Sequence, residues 1–349
     1  MAPETPERAA RPESFQRVRR VLAWLIVALA AAALAVGWLL PDLGDDGRAL
    51  GLINWVSFAV RTLTPHAGVV LLLCTLPIAI ARVWRPAAAL AILSVACIVP
   101  LLGFGSSGEG APPDGATLTV MTVNAMYGRV RDADLLAEIE RHSPDVLVIQ
   151  EYTQPLHSRV SRQLQQQLPH FSISPRDDAF GMAVYSKLPF AVIPKAFPAF
   201  TFADGTTYVP PDPQIRVVVS VAGREVVVQG VHTLPPVRPT YLAEQRRLCR
   251  ALAAYAQTER RPLVLAGDFN HTPASMPAAW LRDAGLADAH TSGGSGRGLT
   301  WPTGSGLWAV AGFRLDQVLT SPGVRVLSCT TGAEIGSDHR PVIARLALP

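Results

Sequence analysis

Residues 21–40 (VLAWLIVALAAAALAVGWLL) run for twenty positions without a charge. Coiled as a helix at 1.5 Å per residue, such a run crosses the roughly 30 Å hydrocarbon core of a bilayer. Two more runs follow. Residues 65–81 are broken only by prolines and His66, and residues 87–105 carry no charge at all. Residues 50–63 are also apolar but hold Arg61, and read as an interfacial piece or as a lead-in to the second run. Buried helices of globular proteins show a polar stripe; these runs show none. A cleaved signal peptide is another reading of the first run, since Ala33-Leu34-Ala35 is a passable cleavage triplet. Twenty residues is long for such a core, however, and two runs come after it. The sequence therefore predicts a three-span anchor over residues 21–105.

Basic residues near the span ends set the orientation. The tail, residues 1–20, holds Arg8, Arg11, Arg17, Arg19 and Arg20. The first connection sets Arg48 against Asp42, Asp45 and Asp46, the second holds Arg82 and Arg85, and residues 106–116 have no basic residue. This alternation predicts a multi-pass protein of the cell membrane. Its N-terminus is cytoplasmic, and everything after residue 105 is extracytoplasmic.

Composition narrows the rest. The chain is 49% hydrophobic with a net charge of +4, which excludes disorder over most of it. Four cysteines in 349 residues exclude a disulfide-framed scaffold. Two of them, Cys249 and Cys329, fall in the outer domain, where two buried thiols are favoured over a bridge. Of 31 basic residues only Lys187 and Lys195 are lysines, which reads as coding bias and not as a nucleic-acid-binding surface. Residues 106–116 (SSGEGAPPDGA) form a Gly/Pro/Ser-rich tether, at most about 40 Å long when extended. Residues 117–349 then make one domain.

Within that domain, apolar strand-like segments keep ending on polar residues. TLTVMTV runs into Asn124, DVLVI into Gln150-Glu151, the segment 225–231 into His232, and PLVLA into Gly267-Asp268-Phe269-Asn270. Leu315-Asp316 and Ser337-Asp338-His339 complete the set. Strand ends on a rigid scaffold are where enzymes display reactive groups. Oxygen donors without a Cys/His cluster suit Mg²⁺ or a similar hard cation rather than zinc. Each residue alone has a plainer reading as a turn or a solvated group; the ordered set is what points to chemistry.

The order Thr122-x-Asn124, Gln150-Glu151, Gly181-x-x-x-Tyr185-Ser186-Lys187-x-Pro189, Val231-His232, Gly267-Asp268-Phe269-Asn270, Leu315-Asp316 and Ser337-Asp338-His339-Arg340-Pro341 resembles the endonuclease/exonuclease/phosphatase superfamily. With the apolar runs ahead of it, the chain looks like a membrane-anchored bacterial branch that includes proteins associated with glycopeptide-antibiotic resistance in actinobacteria. The resemblance implies a DNase I-like, four-layered α/β sandwich that hydrolyses phosphate esters with Mg²⁺ or Mn²⁺. It implies Glu151 as principal metal ligand, with Asn124 beside it and Asp338 as ligand or near neighbour. It further implies Asp268 as the base on the attacking water and Asn270 holding the water or a phosphate oxygen. His232 and His339 would bond the non-bridging oxygens, and Asp316 would orient His339. A glutamate supporting the mid-chain histidine, found in the secreted nuclease branch, has no assignable counterpart here.

Three functions follow as expectations. One is hydrolysis of a phosphate ester or pyrophosphate on a lipid or envelope intermediate, since the tether confines the site near a bilayer. The second is an extracytoplasmic nuclease, less favoured because the domain is near charge balance and has no basic groove-inserting loop. The third is a non-catalytic membrane adaptor, disfavoured because every matched polar position is filled. Residues 192–213, with Phe197, Phe200, Phe202 and Tyr208, and the pair Trp301 and Trp308 read either as self-packed loops or as walls of a substrate groove. Arg216 reads as structural or as facing the phosphate.

Overall fold

The structure, a computed structural model, describes residues 13–40, 43, 48–99, 115–193, 200–201, 205, 207–208, 214–306 and 311–349. The tether apart from residues 115 and 116, together with Phe197, Phe202 and Trp308, lies outside them. The chain divides into two compact units, residues 1–43 with 56–102 and residues 44–55 with 103–349.

The apolar third is helical. α1 (Glu13–Leu39) and α2 (Arg48–Ile80) are each long and apolar enough to cross a membrane. α3 (Trp84–Ile98) is apolar but has 15 residues, fewer than the roughly 20 a crossing takes. Of the three predicted spans, two are therefore full-length helices among the described residues. The end of the third run, from residue 100, lies outside them. Residues 50–63 are a lead-in, continuous with the second run in one helix that contains Pro65 and Pro77.

Arg61, the residue that set this lead-in apart, is buried. Its Nε and Nη2 donate to the carbonyls of Gly37 and Trp38, at 2.5 and 3.2 Å. Those carbonyls close α1, where unpaired acceptors and the helix dipole favour a cation. Close approach in this unit uses glycines: a Cβ on Gly37 would sit 2.4 Å from Val60 Cγ1, and one on Gly68 2.7 Å from Cys97 Cβ. Leu29, Leu73, Ile80 and Ile92 are exposed.

The second unit alternates strands and helices: β1 (Thr117–Asn124), α4 (Asp132–His142), β2 (Val146–Gln150), α5 (Gln154–Gln167), β3 (His170–Ser174), β4 (Met182–Ser186), β5 (Phe190–Val192), β6 (Phe200–Thr201), β7 (Thr207–Tyr208), β8 (Arg216–Val221), β9 (Arg224–His232), α6 (Pro239–Thr258), β10 (Leu263–Asp268), α7 (Met276–Asp283), β11 (Ala287–Asp288), α8 (Ala289–Gly293), β12 (Asp316–Thr320), β13 (Arg325–Thr331) and β14 (Val342–Ala347). Two six-stranded sheets result, ordered β13-β14-β1-β2-β4-β3 and β11-β12-β10-β9-β8-β5, beside a small β6-β7 pair. Both are mainly antiparallel, with parallel pairs β1–β2 and β9–β10 at their centres.

Side-chain alternation decides which residues face which layer. On β1, Leu118 and Val120 join Val146 and Val148 of β2 against Val226 and Val228 of β9 and Val264 and Ala266 of β10; this is the core between the sheets. Met121, Val123, Leu147 and Ile149 point the other way, onto α4 and α5 through Leu135, Ile139, Leu156, Val160 and Leu164. Val227, Val231, Leu263 and Leu265 pack on α6 and α7 through Leu248, Leu252 and Leu281. Helix, sheet, sheet, helix is the predicted four-layered sandwich. The helix α5 was not foreseen, because its polar run SRQLQQQ hides the spacing of its three buried apolar residues.

Cys249 and Cys329 are both buried free thiols. Arg216 is structural: its guanidinium lies 3.5 Å over the Tyr255 ring and donates to Gln229 Oε1. Gly181, quoted in the motif string, is required by crowding, since a Cβ there would lie 2.0 Å from the carbonyl oxygen of Tyr152. Gly181→Ala should lower stability by about 3 kcal/mol, the upper range for overpacking. Thermal unfolding of the full chain in detergent checks this, and an unchanged midpoint contradicts the crowding argument.

Candidate active site

The inter-sheet core turns polar at one end. Asn124 and Gln150 are paired across β1 and β2, and Asp268 pairs with His232 of β9 on one side and Asp316 of β12 on the other. All five occupy inward positions by alternation, in step with Val120, Val148, Ala266, Val228 and Val318. The strand-end pattern of the sequence is thus a row of polar side chains across the mouth of a hydrophobic core.

Asn124 joins the two sheets. Its Nδ2 donates to Glu151 Oε1 at 3.0 Å and to Asp268 Oδ2 at 3.1 Å, while its Oδ1 accepts the Met126 N–H. Glu151 leaves β2 with φ of +54° and accepts the Tyr127 N–H on Oε2 at 2.7 Å. Asp268 Oδ1 accepts the Asn270 N–H at 2.8 Å, and Oδ2 accepts Asn270 Nδ2 at 3.2 Å. Asn270, at φ of +49°, also donates Nδ2 to the Thr233 carbonyl at 2.8 Å.

The two imidazoles flank Asp268, with Nε2 of His232 at 3.8 Å and Nε2 of His339 at 3.9 Å from its Oδ2. His339 Nδ1 lies 2.7 Å from Asp316 Oδ2, the predicted pair. His339 is held by Ser337, whose Oγ accepts the His339 N–H and donates to the Asn124 carbonyl at 2.7 Å. Gln214 clasps the His232 backbone through both its amide atoms. Phe180 lies 5.9 Å from the His232 ring, and Trp301 lies 6.5 Å from the His339 ring. Asp338 stands slightly aside, its Oδ2 accepting the Trp301 indole N–H at 3.0 Å. Trp301, of double reading in the sequence, thus belongs to the site. Thr300, Gln214 and Ser337 brace it as well; Gln214 and Thr300 carried no local signal.

Burial in a low-dielectric site raises the Asp268 carboxyl above its ordinary value, against the pull of the His339 charge. Burial also raises Glu151, with the Asp268 charge adding to it. His232 is lowered by burial and favours its neutral form. Burial pulls His339 down too, but the Asp316 and Asp268 carboxylates outweigh it and hold the imidazolium up to about 10. Two buried atoms, His232 Nδ1 and Asp316 Oδ1, have no hydrogen-bond partner among the described residues. Crowded, partly buried carboxylates with hard oxygen donors fit a divalent cation. Asp268, Asp316 and His339 offer ligand atoms within 4.8 Å of one another. His339 and Asp316 engage each other, as Glu151 and Asn124 do, and the Tyr127 and Met126 N–H groups add to the second pair.

The model of the Endonuclease/Exonuclease/phosphatase family matches residues 121–339. No curated protein matches the chain. Among solved structures, D. rerio TDP2 complexed with single strand DNA product is 15% identical, with TM-score 0.50 over 66% of this chain and 98% of that one. A 3'-5' exonuclease from Neisseria meningitidis is 23% identical, with TM-score 0.49 over 65% and 98%. An endonuclease/exonuclease/phosphatase from Beutenbergia cavernae is 22% identical, with TM-score 0.48 over 67% and 72%. At such identities the likeness is one of fold. With the family model covering both the Asn124–Glu151 and the Asp268–His339 ends of the polar row, the chain belongs to the endonuclease/exonuclease/phosphatase family.

Proposed function

We propose that this chain is a membrane-anchored, extracytoplasmic phosphoesterase, dependent on Mg²⁺ or Mn²⁺, acting on a phosphate ester or pyrophosphate of a lipid or cell-envelope intermediate. The observation that carries the chemistry is the row His232, Asp268, Asp316 with His339, facing Asn124 and Glu151 across the sheets. A cation held by Glu151, with Asn124 and Asp338 beside it, would polarise the phosphoryl oxygen and offset its charge.

The protein groups divide the remaining work. Asp268 takes the proton of the attacking water; its raised affinity for protons makes it a better base than an exposed aspartate. Asn270 and Asn124 fix the carboxylate's orientation by donating to both its oxygens. His339, kept charged by Asp316, donates to a non-bridging oxygen, and the neutral His232 adds a second donor. Phosphoryl transfer needs alignment and charge neutralisation above all, and this arrangement supplies both.

Support for a lipid or envelope substrate is the pair of membrane-length helices together with the state of the arginines. Arg131 pairs with Asp134, Arg159 with Asp132, Arg340 with Glu334 and Arg314 with Asp288. Guanidinium groups engaged by carboxylates are poorly placed to track a polyphosphate backbone. The nuclease reading draws instead on relatives that include an exonuclease and TDP2 with its DNA product. It requires steeply salt-dependent DNA binding.

The full chain in detergent micelles should cleave bis(p-nitrophenyl) phosphate or p-nitrophenyl phosphate with Mg²⁺ or Mn²⁺ and lose this activity in EDTA. Asp268→Asn should lower kcat by about 10²–10⁴-fold, the usual worth of a general base. Glu151→Ala should remove most turnover; undiminished activity there refutes the cation assignment. A comparison of plasmid DNA, undecaprenyl phosphates and phospholipids as substrates separates the two readings. A reporter active only outside the cytoplasm, fused after Pro349, should be active, and silence there reverses the topology.

A further inference from the structure

Gln245 lies on α6, on the face that carries Leu242, Leu248, Cys249 and Leu252 into the core. A fully buried glutamine among leucines needs a reason, because an unpaired amide in such a place is costly. Its Nε2 faces four oxygens: Thr233 Oγ1 at 3.2 Å and the carbonyls of Leu234, Phe269 and Asn270 at 3.1, 3.2 and 3.0 Å. The amide orientation follows from this, since reversing it would set Oε1 against the same oxygens. Oε1 itself is buried and has no hydrogen-bond partner among the described residues. One side chain from the outer helix layer thus reaches two site loops at once, the segment leaving β9 after His232 and the turn leaving β10 after Asp268.

Those loops are also linked directly. Thr233 Oγ1 donates to the Phe269 carbonyl, Thr233 N–H to the Asp268 carbonyl, and Asn270 Nδ2 to the Thr233 carbonyl. Without Gln245, the carbonyls of Leu234 and Asn270 lose the donor they have in this knot. Asn270 is the residue most exposed to that loss, since its φ of +49° costs energy outside a supporting turn.

We propose that Gln245 is a positioning residue, whose amide clasps the end of β9 to the turn after β10 and so keeps His232 and Asn270 in register with Asp268. It touches neither substrate nor cation. Its effect on rate comes through the geometry of the groups it ties, where a misplacement of about 1 Å can cost about 10²-fold.

The test uses the full chain in detergent, with hydrogen exchange read by mass spectrometry and, resting on the phosphoesterase reading, turnover of bis(p-nitrophenyl) phosphate with Mn²⁺. Gln245→Met keeps length and shape but has no donor. It should speed exchange in residues 230–238 and 267–275 while leaving β1 and β2 as they are. It should lower kcat by about 10²-fold and change KM by less than about twofold. Gln245→Glu should lose activity relative to the unaltered chain as pH rises, because only the protonated acid can donate into the four oxygens. Unchanged exchange in both segments, an equal rise throughout the sandwich, or an unaltered kcat overturns the clasp. An unaltered chain that leaves the phosphodiester intact, with the exchange of the Met variant still confined to the two segments, refutes the phosphoesterase reading and upholds the clasp.

Discussion

A single amide holds the two halves of this site together. Asn124 donates from the end of one sheet to Glu151 beside it and to Asp268 at the end of the other sheet, 144 positions later. The hydrophobic core beneath brings the sheets together through apolar burial, which is non-directional for each contact. The Asn124–Asp268 bond is directional and buried. It ties together the ends of β1 and β10, where these carboxylates and imidazoles share one dielectric environment. Ser337 extends the same logic, tying the His339 loop to the Asn124 carbonyl.

Once the ends meet, the electrostatics follow. Asp268, Glu151 and Asp316 lie within a small, poorly solvated volume, and His339 is the nearest cation. Burial raises the proton affinities of Asp268 and Glu151, the neighbouring carboxylates raise that of His339, and His232 moves the opposite way because burial outweighs its neighbour's charge. A set of groups pushed apart in this manner has one ready acceptor, one persistent cationic donor and one neutral donor. It is on these groups that the proposed in-line hydrolysis of a phosphate ester draws.

Much of the site was legible in the sequence because strand ends announce themselves. A run such as LVLAGD is apolar throughout, as a strand buried on both faces is, and then stops on a charge, so Asp268 stands out in the sequence. Gln245 and Gln214 were not legible. A glutamine signals nothing by itself, and the worth of Gln245 lies in oxygens of two loops, 11 residues before it and 25 after it, that its helix meets only in the fold. A polar residue on the leucine face of α6 was the one available hint. Trp301 was ambiguous for the same reason: its indole matters only because Asp338 and His339 lie beside it.

The sequence by itself determined the apolar helices, the apolar strands and the residue types that end them, because these depend on runs of a few residues and on local solvation. The helix count was less secure. α3 stops at 15 described residues, and the reading of 50–63 turned on Arg61, whose charge is met by carbonyls of a different helix. Only the tertiary structure decided which polar strand ends converge, which histidine is charged and which amides lock the loops. Those outcomes depend on distances between separate elements, 23 positions apart for His339 and Asp316 and 144 for Asn124 and Asp268, and on the low dielectric that arises only after the sheets have closed on each other.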